Sequence, residues 1–362
     1  MDSTPVPYRG EDLGPRPHVA VLFRDQIGDF LVATPLMRGL RERYPDLVLD
    51  YFGGERTREL EEASRLVDAR YSLFSSAERL PELAAFLDRR RSVAGPYTLA
   101  VNLESDPNAA RGAGAIRPRF VCGTWAHPET GALVPPPSDG IDRLWHDTWN
   151  RADLLADYPP LSSQFIGEIF CRLCRVETAY AATETPIQAP GFETPSILIS
   201  TGASREAKLW PVAYWLDLVA WVRAQGLQVG LLGAPPAAQA AYHADAADAA
   251  ILAAGAVDLR GRLTLPEVAG ALRQARGFVT VDNGLMHMAA AVGTPTVAIF
   301  GASPVRLWAP PFPSIHVLEP SDPCPLCEEN RFRNHACLIP IHRCMLSVEP
   351  SRVRNELAEL LA

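Results

Sequence analysis

Between residues 18 and 300 the chain alternates apolar runs of strand length with longer stretches of helical periodicity, and it passes through that alternation twice. Parallel strands cannot be joined by tight turns; each connection needs a crossover of a dozen or more residues, usually a helix. Repeated strand–helix–strand units therefore predict an α/β chain with parallel sheets, and two repeats predict two Rossmann-like domains. In the first repeat the strand-like runs are 18–23, 47–52, 66–73 and 97–103, with helices expected at 29–44 and 80–91. The stretch 141–176 also reads as helical, broken near Pro159 and Pro160. In the second repeat strands are expected at 197–200, 228–232, 277–281 and 296–300. Helices are expected at 212–225, in the Ala-rich run ending near 254, at 265–276 and at 285–292.

The proline-spaced stretch 183–195 carries no apolar periodicity and reads as the linker. The expected layout is an N-terminal domain at 1–182, with 1–17 as a loose arm, and a C-terminal domain at 196–347. Residues 348–362 are expected to form a helix that packs back on the N-terminal domain. Ligands of such sheets bind beyond the carboxyl ends of the strands, so the cleft between two facing domains is the expected site.

Composition removes several classes of partner. A net charge of −8 and a pI near 5.6 disfavour nucleic acid, whose phosphates demand a basic face. No apolar run approaches the ~20 residues that span a bilayer, although a transient contact with a membrane surface is compatible with the sequence. Residues 1–17 lack the apolar core of a signal peptide, and the expectation is a soluble cytoplasmic protein. There is no G-x-G-x-x-G or Walker loop, which counts against nicotinamide enzymes and P-loop ATPases.

Seven cysteines with no secretion signal do not suggest a disulfide framework. Cys171 and Cys174 share an apolar helical face and read as buried thiols. Cys324, Cys327, Cys337 and Cys344 admit two readings: a tetrahedral structural zinc site, or unliganded thiols.

Lys208 is the one lysine among 34 basic residues, the rest being arginine. It follows the strand-like run 197–200 and the small polar loop Ser200, Thr201, Gly202, Ala203, Ser204, and it precedes Pro211, a residue suited to opening a helix. Backbone N–H groups of such a loop, three hydroxyls, a helix N-terminus and a compact ammonium make a phosphate cradle. The bland alternative is a chance survivor of arginine bias. Two further loops lie at strand ends. Arg24 to Asp29 follows the first strand, with Gly28 permitting a tight turn; Asp29 reads either as a helix cap or as a general base aimed into the cleft. Asp282, Asn283, Gly284, Leu285 and His287 follow the strand 277–281, and His287 reads either as a satisfied core histidine or as a ligand contact.

With these motifs in hand, the chain resembles bacterial glycosyltransferase family 9, the ADP-heptose:lipopolysaccharide heptosyltransferases, over nearly its full length. The matching residues are Ile27-Gly28-Asp29 with Thr34-Pro35-Leu36 and Arg38, then Gly202-Ala203-Ser204 with Lys208-Leu209-Trp210-Pro211, and Leu231-Leu232-Gly233. Asp258-Leu259-Arg260-Gly261 with Leu265, Asp282 through His287, and Gly293-Thr294-Pro295 to Phe300-Gly301 complete the set.

The resemblance implies a GT-B fold, with two facing Rossmann-like domains binding acceptor on the first and nucleotide-sugar on the second. It implies an inverting transfer that needs no metal or other cofactor, with Asp29 deprotonating the acceptor hydroxyl and Lys208 assisting departure of the diphosphate. Ser200, Thr201, Gly202, Ser204 and Gly233 would join Lys208 at the donor. Asp282, Asn283, Gly284, Leu285 and His287 would line that site, with Leu263 against the base. Gly28 and Asp29, with Arg111, Arg117 and Arg119, would face the acceptor.

Two features depart from the family. Pro236 to Gln239 stand where a ribose-binding glutamate is usual, and Asn283 replaces a small hydroxyl residue. Residues 1–150 hold eighteen Arg against twenty-two Asp plus Glu, so a small-molecule natural product joins the lipopolysaccharide core as a candidate acceptor. The rival readings are a non-catalytic sugar-nucleotide-binding scaffold, an epimerase or phosphorylase of the same fold, and a transferase using another nucleotide sugar.

Overall fold

The computed structural model describes residues 4–74 and 80–362, and these divide into two compact units, Met1–Glu184 and Thr185–Ala362. Each unit is built on a six-stranded, all-parallel sheet. In the second unit the spatial order is Val257–Asp258, Val229–Leu231, Ile197–Ser200, Gly277–Val281, Thr296–Ile299, Ile315–Leu318. Numbered along the chain this is 3-2-1-4-5-6, the order of a dinucleotide-binding Rossmann sheet. The first unit repeats the arrangement for five strands: Ala69–Ser72, Val48–Gly53, His18–Leu22, Leu99–Asn102, Phe120–Cys122. Its sixth position is filled from the other end of the chain, by Val6–Pro7, which pairs parallel to Phe120–Cys122.

That last strand corrects the expectation of a loose arm at 1–17. Tyr8 and Leu13 are buried, and the Leu13 N–H donates to Tyr44 Oη at 3.2 Å. A two-residue strand is too short to leave a periodic signal, yet it covers a sheet edge that would otherwise expose unpaired backbone. Residues 1–3 of the arm lie outside the described residues.

The central strands are continuous apolar runs because helices cover both faces of a parallel sheet. His18–Leu22 and Gly277–Val281 are buried at every position. Each Val, Leu or Ile so enclosed contributes about 1.5–3 kcal/mol. The first helix, Ile27–Arg43, contains Pro35, which lacks the N–H that would bond Leu31 O. Thr34 Oγ1 donates to that carbonyl instead, at 2.6 Å, so the Thr34-Pro35 pair carries its own repair. Thr34 Oγ1 also accepts the Glu184 N–H at 2.8 Å, anchoring the end of the first unit.

Three other expectations give way. The stretch 141–176 is not one broken helix. It forms a 3₁₀ turn at Gly140–His146 and short helices at Leu154–Asp157 and Ile166–Leu173, since its apolar residues pack onto neighbours one turn at a time. The Ala-rich helix ending near 254 is split into Pro236–Tyr242, a 3₁₀ segment, and Asp245–Ala253, with His243 between them at φ +56°. The final helix, Pro350–Leu361, belongs to the second unit. Val353 and Leu357 are buried in the second unit's own core, with Trp215 and Val279. Among the described residues no helix is long and apolar enough to cross a membrane.

Candidate active site

In a sheet of this order the strands on either side of the 1/4 boundary send their helices to opposite faces, and the crevice at their carboxyl ends is where ligands bind. In the second unit that boundary lies between Ile197–Ser200 and Gly277–Val281, which pair through Thr280 and Ser200. The loops leaving these two strands hold most of the residues expected at the donor site.

Lys208 Nζ lies 2.6 Å from Asp282 Oδ2, so the single lysine bridges the two loops directly. Their side chains are 15% and 5% exposed, respectively. Burial pushes the Asp282 carboxyl up, but the Lys208 ammonium beside it prevails and holds it below the usual carboxylate range. Asn283 caps the helix Gly284–Val292: its Oδ1 accepts the N–H groups of Leu285 at 2.9 Å and Met286 at 3.3 Å. Its Nδ2 donates to Ser200 Oγ at 3.1 Å and Gly202 O at 2.9 Å. A serine or threonine here could cap the helix but could not supply both donors to the facing loop, so the departure at Asn283 has a structural reason. Gly293 ends the helix at φ +76°, a left-handed cap that favours glycine.

His287 sits in the first turn of the same helix, buried, and its Nδ1 has no hydrogen-bond partner among the described residues. Burial holds its pKa down at about 4 despite the opposing pull of Asp282, so the ring is neutral near pH 7. Thr201 is not free to serve a ligand through its hydroxyl. Its Oγ1 is 2.5 Å from Asp248 Oδ1, and Asp248 is bonded in turn to Arg260 Nη1 at 3.1 Å. Ser200 Oγ accepts from Asn283, and Ser204 carries the exposed hydroxyl of the loop. Gly233 and Leu263 follow the two adjoining strands at the same carboxyl end, where the Gly261 N–H donates to Gly233 O at 3.3 Å.

The loop that carries Lys208 is held from an unexpected direction. Arg205 Nη1 donates to Asn334 O at 3.1 Å, the Ala207 N–H to His335 O at 2.9 Å, His342 Nε2 to Ala207 O at 2.8 Å, and Trp210 Nε1 to Val348 O at 2.8 Å. The Cys-rich segment is thus a clamp on the lysine loop. Among the described residues no three metal-binding side chains are placed to share an ion. Cys327 instead accepts from Asn334 Nδ2 at 3.4 Å, and Cys344 is buried in the core. Its contacts join segments more than a hundred residues apart, and no periodicity announces them. Cys171 and Cys174 are buried thiols.

In the first unit the equivalent boundary lies between His18–Leu22 and Leu99–Asn102. Gln26, not Asp29, is the N-cap of Ile27–Arg43, which puts Gly28 and the part-exposed Asp29 in the first turn. Asp25, one loop residue earlier, packs so closely on Gly54 that a Cβ there would come within 2.3 Å of it. Burial raises the Asp25 carboxyl, partly offset by Arg56. Arg111 is exposed on the helix Pro107–Ala115 beyond this end of the sheet. Arg117 and Arg119 are not: they precede the strand Phe120–Cys122, and the Arg119 N–H donates to Tyr97 O ahead of Leu99–Asn102. In a parallel sheet this is the amino end, opposite Asp29, so these two arginines do not join it.

Residues 168–333 match the family model "Glycosyltransferase family 9 (heptosyltransferase)". Lipopolysaccharide heptosyltransferase 3 of Escherichia coli is 24% identical over 306 residues, which span 78% of this chain and 83% of that protein. A family 9 glycosyl transferase from Veillonella parvula shares the fold with a TM-score of 0.72 at 16% identity, over 100% of this chain and 99% of that one. The E. coli ADP-heptose lps heptosyltransferase II does so with a TM-score of 0.65 at 21% identity, over 95% and 98%. The matched family region contains the Lys208 loop, its partner Asp282 and His287, and the fold of the whole chain is that of GT-B heptosyltransferases. The chain is a glycosyltransferase whose region 168–333 matches family 9, the heptosyltransferase family.

Proposed function

We propose that this protein transfers heptose from ADP-heptose to an acceptor hydroxyl with inversion at the anomeric carbon, without a metal. The observation that carries the reading is Lys208 bridged to Asp282 at the N-terminus of Gly284–Val292. An ammonium has three donors; the Asp282 carboxylate takes one at 2.6 Å and its carbonyl a second at 3.5 Å, which leaves one for a diphosphate oxygen. The helix N-terminus adds its own positive end to that spot. Together they would stabilise the negative charge that builds on the departing ADP, a task otherwise given to a metal ion. Asp29 would take the acceptor proton as the oxygen bonds to the anomeric carbon and the sugar–phosphate bond breaks. The nucleotide assignment is supported by relatives described as ADP-heptose and lipopolysaccharide enzymes.

Ser204, the backbone of Gly202, Gly233, Gly284 and Leu285, neutral His287 and Leu263 would complete the donor site. Thr201 and Ser200 would shape it through Asp248 and Asn283. The acceptor remains a choice between the lipopolysaccharide core and a small hydroxyl-bearing natural product. All seven cysteines are free thiols, which fits work in the reducing cytoplasm.

Calorimetric titration with ADP, GDP and UDP, followed by assay with ADP-heptose, tests this. Preference for ADP, and a product whose anomeric proton coupling is inverted from the donor's, are expected. Preference for UDP or GDP would overturn the heptose assignment.

A further inference from the structure

The first unit carries a second ion pair across a strand boundary. Arg24 follows His18–Leu22 and Glu104 follows Leu99–Asn102, and the two meet in a forked pair, Nε to Oε1 and Nη2 to Oε2 both at 2.6 Å. Glu104 is fixed from behind. Its backbone N–H donates to Asn102 Oδ1 at 3.1 Å, and Asn102 Nδ2 donates to Thr124 O at 2.6 Å. The Glu104 side chain is 5% exposed while that of Arg24 is 51% exposed. A fork on a buried carboxylate fixes the plane of a guanidinium, and a merely solubilising arginine needs no such anchor. The guanidinium lies within electrostatic reach of Asp29 and Asp106.

We propose that Arg24, held by Glu104, is a positioning residue for the transfer step, orienting the Asp29 carboxylate and supplying the positive charge beside it. This rests on Asp29 being the base. The other charged or titratable groups at this corner are Asp25 with Arg56, Asp106 at the next helix, and Tyr51 beneath, whose surroundings include Asp29, Glu104 and Glu61. Arg24 lies in the same strand-to-helix connection as Asp29, which stands in the first turn of Ile27–Arg43, and Asp29 is among the charges that act on it.

The test uses the full chain, following ADP release from ADP-heptose, to lipopolysaccharide core oligosaccharide and to water, across pH, with ADP affinity measured in parallel. Arg24→Gln should lower kcat by about 10- to 100-fold, comparable to losing a group that orients a base. Losing a neighbouring cation raises a carboxylate's pKa, so the acid limb should move to higher pH, while ADP affinity stays within about twofold. Arg24→Lys should restore the acid limb but only part of kcat, because an ammonium cannot fork onto Glu104. Glu104→Gln, which keeps the size of the buried side chain, should shift the limb in the same direction by less. Wild-type kcat and acid limb in Arg24→Gln, with Asp29→Asn inactive, would overturn this inference alone. An ADP affinity that falls in step with kcat would also overturn it, since that marks a general loss of structure. Full activity of Asp29→Asn would overturn the base assignment, and this inference with it.

Discussion

The two units place a cation after the first strand and a carboxylate after the fourth, yet the helices that follow the fourth strands are prepared for opposite purposes. In the first unit Pro107–Ala115 is capped by Asp106, whose carboxylate accepts from the N–H groups of Asn108 and Ala109 at 2.8 and 3.2 Å. Its positive end is already met by an anion of the chain. In the second unit Gly284–Val292 is capped by the neutral amide of Asn283, with neutral His287 in its first turn. The partial charge of that terminus remains available to an anion from outside. The cations differ in the same sense. Lys208 is drawn in and clamped by a distant segment, whereas Arg24 lies half-exposed on a buried glutamate. One scaffold used twice thus yields a unit suited to receiving phosphate and a unit suited to presenting a carboxylate.

The sharpest way to break this comparison is Asp29→Asn. Turnover should fall by roughly 10²–10⁴ while ADP affinity is nearly unchanged, because the proposed base and the proposed phosphate site belong to different units. Equal turnover would reduce Asp29 to a residue that merely favours its helix terminus.

Next in size is the phosphate side. Lys208→Ala should weaken ADP binding by about 1.5–3 kcal/mol, the range for hydrogen bonds to charged groups. Lys208→Arg should rescue poorly, since the guanidinium cannot sit as a point donor between Asp282 and a phosphate. Asn283→Asp would give the second unit the cap chemistry of the first. Calorimetry should then show ADP affinity down at least about tenfold, from a like charge at the helix terminus and lost donors to Ser200 and Gly202.

A pH experiment isolates His287. Its folded pKa of about 4 lies below the unfolded value of 6.5, so the unfolded chain takes up the proton first as pH falls. The stability it confers is full above about pH 6.5 and is lost progressively down to about pH 4, on the order of a few kcal/mol. Urea midpoints of wild type and His287→Gln should therefore converge toward pH 4 and separate toward pH 7. A constant separation would mean the ring protonates equally in both states.

The smallest effect is expected from Arg117→Ala and Arg119→Ala. Both residues precede the strand Phe120–Cys122, at the amino end of the sheet, and kcat/KM should stay within about twofold. A tenfold loss would show that acceptor recognition extends to a face where Rossmann sheets do not bind ligands.

Much of the site was legible because it lies next to strands whose apolar runs are hard to misread. Ser200 ends such a run and Lys208, Asp282 and His287 follow one at short range, so locating the strand located the loop. The expected arginines show the limit of that logic. Arg117 and Arg119 come after one strand in sequence, but they also come just before another that was not recognised. Phe120–Cys122 is three residues long, too short for periodicity, and missing it reversed the apparent end of the sheet. Thr201 shows a second limit: a hydroxyl in a ligand loop was read as a donor for the ligand, while the fold turns it to buried Asp248.

The sequence by itself determined the two parallel sheets and the loops where chemistry gathers, because hydrophobic period and Gly, Pro and Asx signals act over a few residues. The tertiary structure decided what those loops hold onto. It joined Lys208 to Asp282 across 74 residues, Arg24 to Glu104 across 80, and His342 to the lysine loop across 135. It also recruited Val6–Pro7 to the edge of a sheet and set the Cys-rich segment as a clamp on the lysine loop. Contacts of that kind form only after distant segments pay their loop-closure entropy, and their partners are chosen by geometry at the packed sheet's end rather than by any local pattern.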